Sequence, residues 1–325
     1  MKITKISTFS TGFSIGSGPA LTDTNLKWIF LKIDTDEGIS GWGEVGTSAK
    51  ISEKLMSTAV KEVEYQIIGE NPMDTDRLWN KLYRLFTYIG SRGFTTSLTA
   101  GFDIALWDIK GKVANLPIYD LLGGRYRDAI RLYCNVWFSG CNTPEEYAEA
   151  AKKNLLGKNY EACKLDPFLE MTPYHTMYQD GFISQKGEQE GYDIVAAVRE
   201  VVGPTFEILI DAHGHYNVPN AIRLANNLYE KYKISWFEEP LPPEGIDALK
   251  QVKEGTNAPI CVGERLYTRS DFLPILQNGL ADYIMPDPVW TGGISELKKI
   301  STICLLYTSD AADEGLGVDL GGRRI

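Results

Sequence analysis

Four acidic residues stand where short apolar runs end: Asp211 after Ile208-Leu-Ile, Glu238 after Ile234-Ser-Trp-Phe, Glu264 after Ile260-Cys-Val-Gly and Asp287 after Tyr283-Ile-Met-Pro. Each run holds β-branched or aromatic residues and is bounded by Gly or Pro, the pattern of a buried parallel strand. The stretches between them, 218–233 and 245–257, carry helical apolar spacing. Strand, helix, strand, with a carboxylate just past each strand end, is the arrangement of a (β/α) barrel whose chemistry lies at its C-terminal rim. Asp211, Glu238 and Glu264 converging in such a mouth would repel one another unless a cation sat between them. An all-oxygen set suits a hard divalent ion, Mg²⁺ first. At Glu238-Glu239 the neighbouring side chains of a strand point oppositely, so only one reaches the ion, and Glu238 is in register with the strand end.

The groups around this set are proton carriers and charges. His213 lies two residues past Asp211 and faces the same way. Its imidazole can give or take a proton near neutral pH, beside a cation that would stabilise an enolate formed next to a carboxylate. His215 reads equally as a substrate contact or a surface residue. Lys164 and Asp166 alternate with Cys163 and Leu165 on a strand, so both enter the mouth. A lysine there can hold an anionic substrate or serve as a base. Arg265 could orient Glu238, Glu264 or the substrate. Asp287 has no cation partner nearby in the sequence, and a strand-end aspartate of this kind often orients a histidine on the next strand.

The elements that must position these groups divide the chain into three expected parts. Residues 1–125 read as an α+β capping domain: an antiparallel meander to about residue 45, with Asp36-Glu37-Gly38 as a turn, then helices from about 49 to 120. In one of them Leu78, Leu82, Leu85 and Phe86 form an apolar face. The Gly- and Ser-rich piece Thr11 to Leu21 reads as a loop over the site or a plain surface loop. Ser97 to Lys112 is the most regularly patterned helix. Its Asp103 and Asp108 lie among Phe102, Ile104, Leu106 and Trp107, which suits a packed helix joining cap to barrel. Residues 126–306 read as a partial α/β TIM-type barrel with strands beginning near 130, 161, 207, 234, 258 and 281. The expected first strand is Ile130 to Asn135, and a helix is expected over Asp193 to Val202. Pro167 to Gly191, with His175, reads as a long loop covering one side of the rim.

The 325 residues, 43% hydrophobic and 23% charged, have the composition of a folded two-domain protein. A net charge of −10 argues against nucleic acid or an anionic membrane as partner. It does not oppose an anionic small substrate, since a bound metal ion reverses the local field. The five scattered cysteines read as buried thiols, and the start of the chain lacks a secretory h-region, so a cytoplasmic location is expected. No run is apolar enough to span a bilayer.

Several motifs together resemble the enolase superfamily, in its mandelate racemase/muconate lactonising branch and most nearly its galactonate dehydratase-like sugar-acid dehydratases. They are Ala100-Gly-Phe-Asp-Ile-Ala-Leu-Trp-Asp-Ile-Lys-Gly-Lys112, Leu121-Leu-Gly-Gly124, Asp211-Ala-His213-Gly214, Trp236-Phe-Glu238-Glu-Pro240, Gly263-Glu264-Arg265 and Pro286-Asp287 with Gly292-Gly-Ile294. The resemblance implies Asp211, Glu238 and Glu264 as Mg²⁺ ligands, His213 as the acid that helps a β-hydroxyl leave, and Lys164 as a substrate-carboxylate contact. It implies Asp287 as the carboxylate half of an Asp–His dyad. Racemases of the branch carry a second lysine where Asp166 stands here, so that face lacks their base. The activity implied is dehydration of an aldonate such as galactonate to a 2-keto-3-deoxy acid through an enolate, by an enzyme that is commonly a homo-oligomer. An epimerase, racemase or cycloisomerase on the same chemistry is the alternative.

The resemblance extends to about residue 304. The family's strand-seven histidine, the implied base, and its strand-eight acidic residue have no matching positions, and no His follows His215. Tyr307 to Ile325 resembles read-through into a cloning or sequencing adaptor, and the expectation is a natural chain cut near Leu305. On that expectation about six of eight barrel strands are present, and a catalytically incompetent fragment is a further alternative.

Overall fold

Antiparallel pairing organises the start of the chain. In the computed structural model, which describes residues 1–14, 25–46, 53–171 and 180–308, strands β1 (Ile3–Ser14), β2 (Asn25–Thr35) and β3 (Ser40–Val45) form a sheet in that order. The turn at Asp36 to Gly38 closes between β2 and β3, with Gly38 at φ 79°. β1 runs through Thr11 to Ser14, where the sequence suggested a loop; 15–24 lie outside the described residues. Helices α1 (Glu53–Val63), α2 (Thr75–Leu85), α3 (Phe94–Ala114) and α4 (Ile118–Leu121) follow. Leu78, Leu82 and Phe86 are buried as expected of one face, but Leu85 is exposed. The core of this part joins Ile29, Leu31 and Ile33 of the sheet to Leu98, Phe102 and Ile109 of α3. α3 is buried nearly all round because its other side packs on later helices of the chain.

From residue 144 strands and helices alternate. The elements are α5 (Pro144–Asn154), β4 (Ala162–Leu165), α6 (Gln185–Val202), β5 (Glu207–Asp211), α7 (Val218–Tyr232), β6 (Trp236–Glu238) and α8 (Ile246–Gly255). Then come β7 (Ile260–Val262), α9 (Thr268–Gln277), β8 (Tyr283–Ile284), α10 (Pro288–Thr291) and α11 (Ile294–Thr308). The five strands form one parallel sheet in the order β4-β5-β6-β7-β8. Its outer face packs on the helices through Ile208, Ile210, Phe237 and Ile260. Its inner face carries Leu209, Trp236 and Cys261, with Tyr283 and Met285 against them.

Two expectations need correction. The first strand, Ile130 to Asn135, reduces to a single parallel bridge, Cys134 to Cys163, and Ile130 and Leu132 are two-thirds exposed. Among the described residues this segment meets the sheet only at that bridge, and its alternating pattern does not extend into a ladder. A cavity of about 300 Å³, lined by Arg131, Tyr133, Leu209, Trp236, Tyr283 and Cys304, opens beside it. Second, α6 begins at Gln185 rather than 193, inside the stretch read as a loop. Ser184 caps it by accepting the Gly187 N–H. Gly187 and Gly191 face Glu170 and Phe168 so closely that a Cβ at either would come within 2.4 Å. These glycines let the helix lie against the chain leaving β4. His175 and the rest of 172–179 are outside the described residues.

Candidate active site

Parallel register carries the acidic groups to one end of the sheet. Asp211 pairs with Glu238 across β5 and β6, and Glu238 with Cys261 on β7, so the first two carboxylates sit side by side. Glu264 follows β7 after Gly263. Ligand oxygens of Asp211, Glu238 and Glu264 all lie within 4.8 Å of one another. Asp211 and Glu238 are buried, while Glu264 is one-third exposed. Beneath them is an aromatic floor: Trp236 stands two residues before Glu238 on the same face, its indole N–H donating to Glu238 Oε2 at 3.0 Å, with Tyr133 and Tyr283 against its ring.

Lys164, also inward-facing, brings its ammonium to 2.7 Å from Asp211 Oδ2 and 2.8 Å from Glu238 Oε1. Burial disfavours that charge, but the two carboxylates outweigh burial and hold the ammonium above the usual lysine range. Burial, then the neighbouring Asp211 charge, pushes Glu238 well above the usual carboxyl range, and Lys164 offsets only part. Asp211 goes the other way: burial opposes its ionisation, but His213 and Lys164 together lower it.

His213 reaches the site by a turn. The chain leaves β5 at Asp211, His213 takes a left-handed φ of 47°, and His215 N–H closes back on Ala212 O. The turn sets His213 Nδ1 3.3 Å from Asp166 Oδ2 and 3.4 Å from Asp211 Oδ1. Burial pushes the Asp166 carboxyl up to about 7, with His213 opposing the rise. Asp166, Asp211 and His213 form a second close donor group sharing Asp211 with the first. His215 is buried, against Tyr216 and 6.0 Å from the His213 ring, which removes the surface alternative.

Asp287 has a partner the sequence did not indicate, and Arg265 meets Glu264, which it did, and Glu239, which it did not. Asp287 caps α10, its Oδ1 accepting the Val289 N–H at 2.9 Å, and burial pushes its carboxyl up. Its described contact is a backbone N–H, not an imidazole. Arg265 sets Nε 2.9 Å from Glu239 Oε2 and 3.4 Å from Glu264 Oε1. Glu239, read as the carboxylate facing away, is nearly inaccessible and left-handed at φ 39°. Burial pushes its carboxyl up to about 8, with Arg265 opposing. The one sequence signal for it was a second acid beside a strand end, followed by Arg one strand later.

Residues 146–314 match the family described as Enolase C-terminal domain-like, and residues 20–123 match the Mandelate racemase / muconate lactonizing enzyme, N-terminal domain. The chain belongs to the enolase superfamily. A D-galactonate dehydratase of Pectobacterium atrosepticum is 35% identical over 308 residues, which cover 94% of this chain and 73% of that protein. A D-galactarolactone cycloisomerase of Agrobacterium fabrum is 34% identical, over 86% of this chain and 68% of that protein. The crystal structure of an enolase superfamily member from Salmonella Typhimurium superposes with a TM-score of 0.82 at 32% identity, covering 94% of this chain and 78% of that one. This superfamily member therefore combines the capping domain and the (β/α) barrel domain that its sequence led us to expect. Among the described residues no helix is long and apolar enough to cross a membrane.

Proposed function

We propose that the protein is a Mg²⁺-dependent dehydratase of an aldonic or related sugar acid, which loses the α-proton and the β-hydroxyl to give a 2-keto-3-deoxy acid. The observation that carries the reading is the convergence of three carboxylates from three successive strand ends, with an ammonium and an imidazole beside them. The donor set is all oxygen, and Glu238 is lifted by burial and then by the Asp211 charge, the second of which a cation between the carboxylates relieves, so the residues fit Mg²⁺. Bound there, Mg²⁺ supplies positive charge against the negative charge that collects on a substrate carboxylate as its α-proton leaves.

The protein's own groups take the remaining roles. Lys164 holds the substrate carboxylate. His213, with Nδ1 set against Asp166 and Asp211, is oriented to deliver a proton to the departing hydroxyl through its other nitrogen. Asp166, His215 and Arg265 border the substrate, and Asp287, which follows β8 at the opposite edge of the sheet from β4, is the carboxylate half of a dyad on the face across from Lys164. Lys164 is the first candidate for the α-proton acceptor among the residues present, and it must first give up the proton that Asp211 and Glu238 hold on it. The cycloisomerase relative favours a second reading, in which the same α-proton chemistry gives an isomer instead of losing water.

The test is the 325-residue chain with Mg²⁺, or with a chelator, on a panel of aldonates and aldarates, followed by mass spectrometry and a 2-keto acid reagent. A dehydrated 2-keto product that needs Mg²⁺ supports the first reading, and a product of unchanged mass the second. Failure to bind Mg²⁺ by calorimetry would refute both.

A further inference from the structure

One guanidinium nitrogen lies within ion-pair distance of two carboxylates beside the triad, and Glu239 Oε2, buried there, has no hydrogen-bond donor aimed at it among the described residues. Arg265 Nε is 2.9 Å from Glu239 and 3.4 Å from Glu264. The two acceptors differ in what they lose without it. Glu239 is 3% exposed, so an unsolvated carboxyl there is costly without a partner. Glu264 is one-third exposed and can be met by water or a cation. The backbone holds Glu239 in place: its N–H donates to Cys261 O at 2.9 Å and its carbonyl accepts the Gly214 N–H at 2.7 Å. Gly214, at φ 69°, leaves room for the arginine; a Cβ there would sit 3.3 Å from Arg265 Nη1 and 3.1 Å from Leu241 O. The ends of β5, β6 and β7 thus converge on one arginine.

We propose that Glu239 is a positioning residue that retains the Arg265 guanidinium and so keeps Glu264 available to a divalent cation. Remove the Glu239 oxygens and the nearest carboxylate to Nε is Glu264. A charge-assisted bond there would occupy the lone pairs and cancel the charge that a cation needs. The inference rests on the metal-site reading above and adds a residue outside the three ligands.

The test is divalent-cation affinity of the full chain, by calorimetry with Mg²⁺ and by electron paramagnetic resonance with Mn²⁺, with no turnover required. Glu239→Leu should weaken binding roughly 10- to 100-fold, the range for outer partners of metal ligands. Glu239→Gln, which keeps shape and one acceptor, should fall between Glu239→Leu and wild type. The decisive variant is Glu239→Leu with Arg265→Met: with the competing guanidinium gone, affinity should return to within about twofold of wild type. A Glu239 that mattered only for packing would leave the double variant as weak as the single, and that result overturns the proposal. So does unchanged affinity in Glu239→Leu. If that variant does not fold by circular dichroism, Glu239→Gln with and without Arg265→Met carries the same comparison. Absent binding by the wild type would overturn the metal reading itself, a different failure from binding that ignores Glu239.

Discussion

Asp103 lies where capping helix α3 meets the first turn of α11, and it offers a pH-dependent test of how the two domains are held together. Its Oδ2 accepts the Ser295 N–H at 2.9 Å and its Oδ1 meets Ser295 Oγ at 2.6 Å, while Trp107 donates its indole N–H to the same hydroxyl at 2.8 Å. Burial pushes this carboxyl up to about 7 from an ordinary 3.8, opposed by the Ser295 bonds and Lys299, with Asp76 adding to the rise. An acid bound more tightly by the folded state loses stability as pH rises between its unfolded and folded pKa values. The gap from 3.8 to about 7, at about 1.36 kcal/mol per pH unit, amounts to about 4 kcal/mol above neutrality. The N-terminal field of α11 favours a carboxylate by up to ~2 kcal/mol and leaves about 2 kcal/mol as the lower figure. Asp103→Asn keeps an acceptor for the Ser295 N–H and adds a donor for its hydroxyl. It should therefore be within about 0.5 kcal/mol of wild type near pH 4 and more stable by roughly 2–4 kcal/mol near pH 8. Urea unfolding with matched m values measures this at both pH values and between them. An Asn variant that loses ground as pH rises would mean that Asp103 works as an ionised cap, and the reasoning from burial would fail.

Three further outcomes bear on the site. Lys164→Met leaves Asp211 and Glu238 without their ammonium, which should cost on the order of 3 kcal/mol in the apo protein; Mg²⁺ should then raise its Tm more than that of wild type, and equal shifts would count against the triad. Glu264→Gln should weaken Mg²⁺ binding at least about tenfold in calorimetry, since it removes a charged ligand; unchanged affinity would move the cation away from Glu264. His213→Asn should lower kcat for water loss by roughly 10²- to 10⁴-fold with a smaller change in KM, as expected of a proton donor, and an unaltered kcat would remove it from the reaction.

Much of the site was legible because each ligand follows its strand directly. Asp211 and Glu238 were readable from an apolar run and the acid at its end, and β5 spans Glu207–Asp211 as its run suggested. The 130–135 segment shows the limit of that signal. Its pattern resembles a strand, yet among the described residues it meets β4 at one bridge and leaves Ile130 and Leu132 exposed. The start of α6 was hidden because Gly187 and Gly191 argue locally against a helix, while their value is contact with Glu170 and Phe168 across a loop.

What the sequence by itself determined was the kind of elements, their order, the family and the three carboxylates at the strand ends, since these depend on periodicity and on residues adjacent in the chain. What only the tertiary structure decided was who holds whom. Lys164 bridges Asp211 and Glu238, Asp166 meets His213, Arg265 goes to Glu239, and Asp103 reaches Ser295 nearly two hundred positions away. Each of these pairings is a competition among buried charges for a limited number of partners. Its outcome depends on distances and desolvation that exist only once the strands lie side by side.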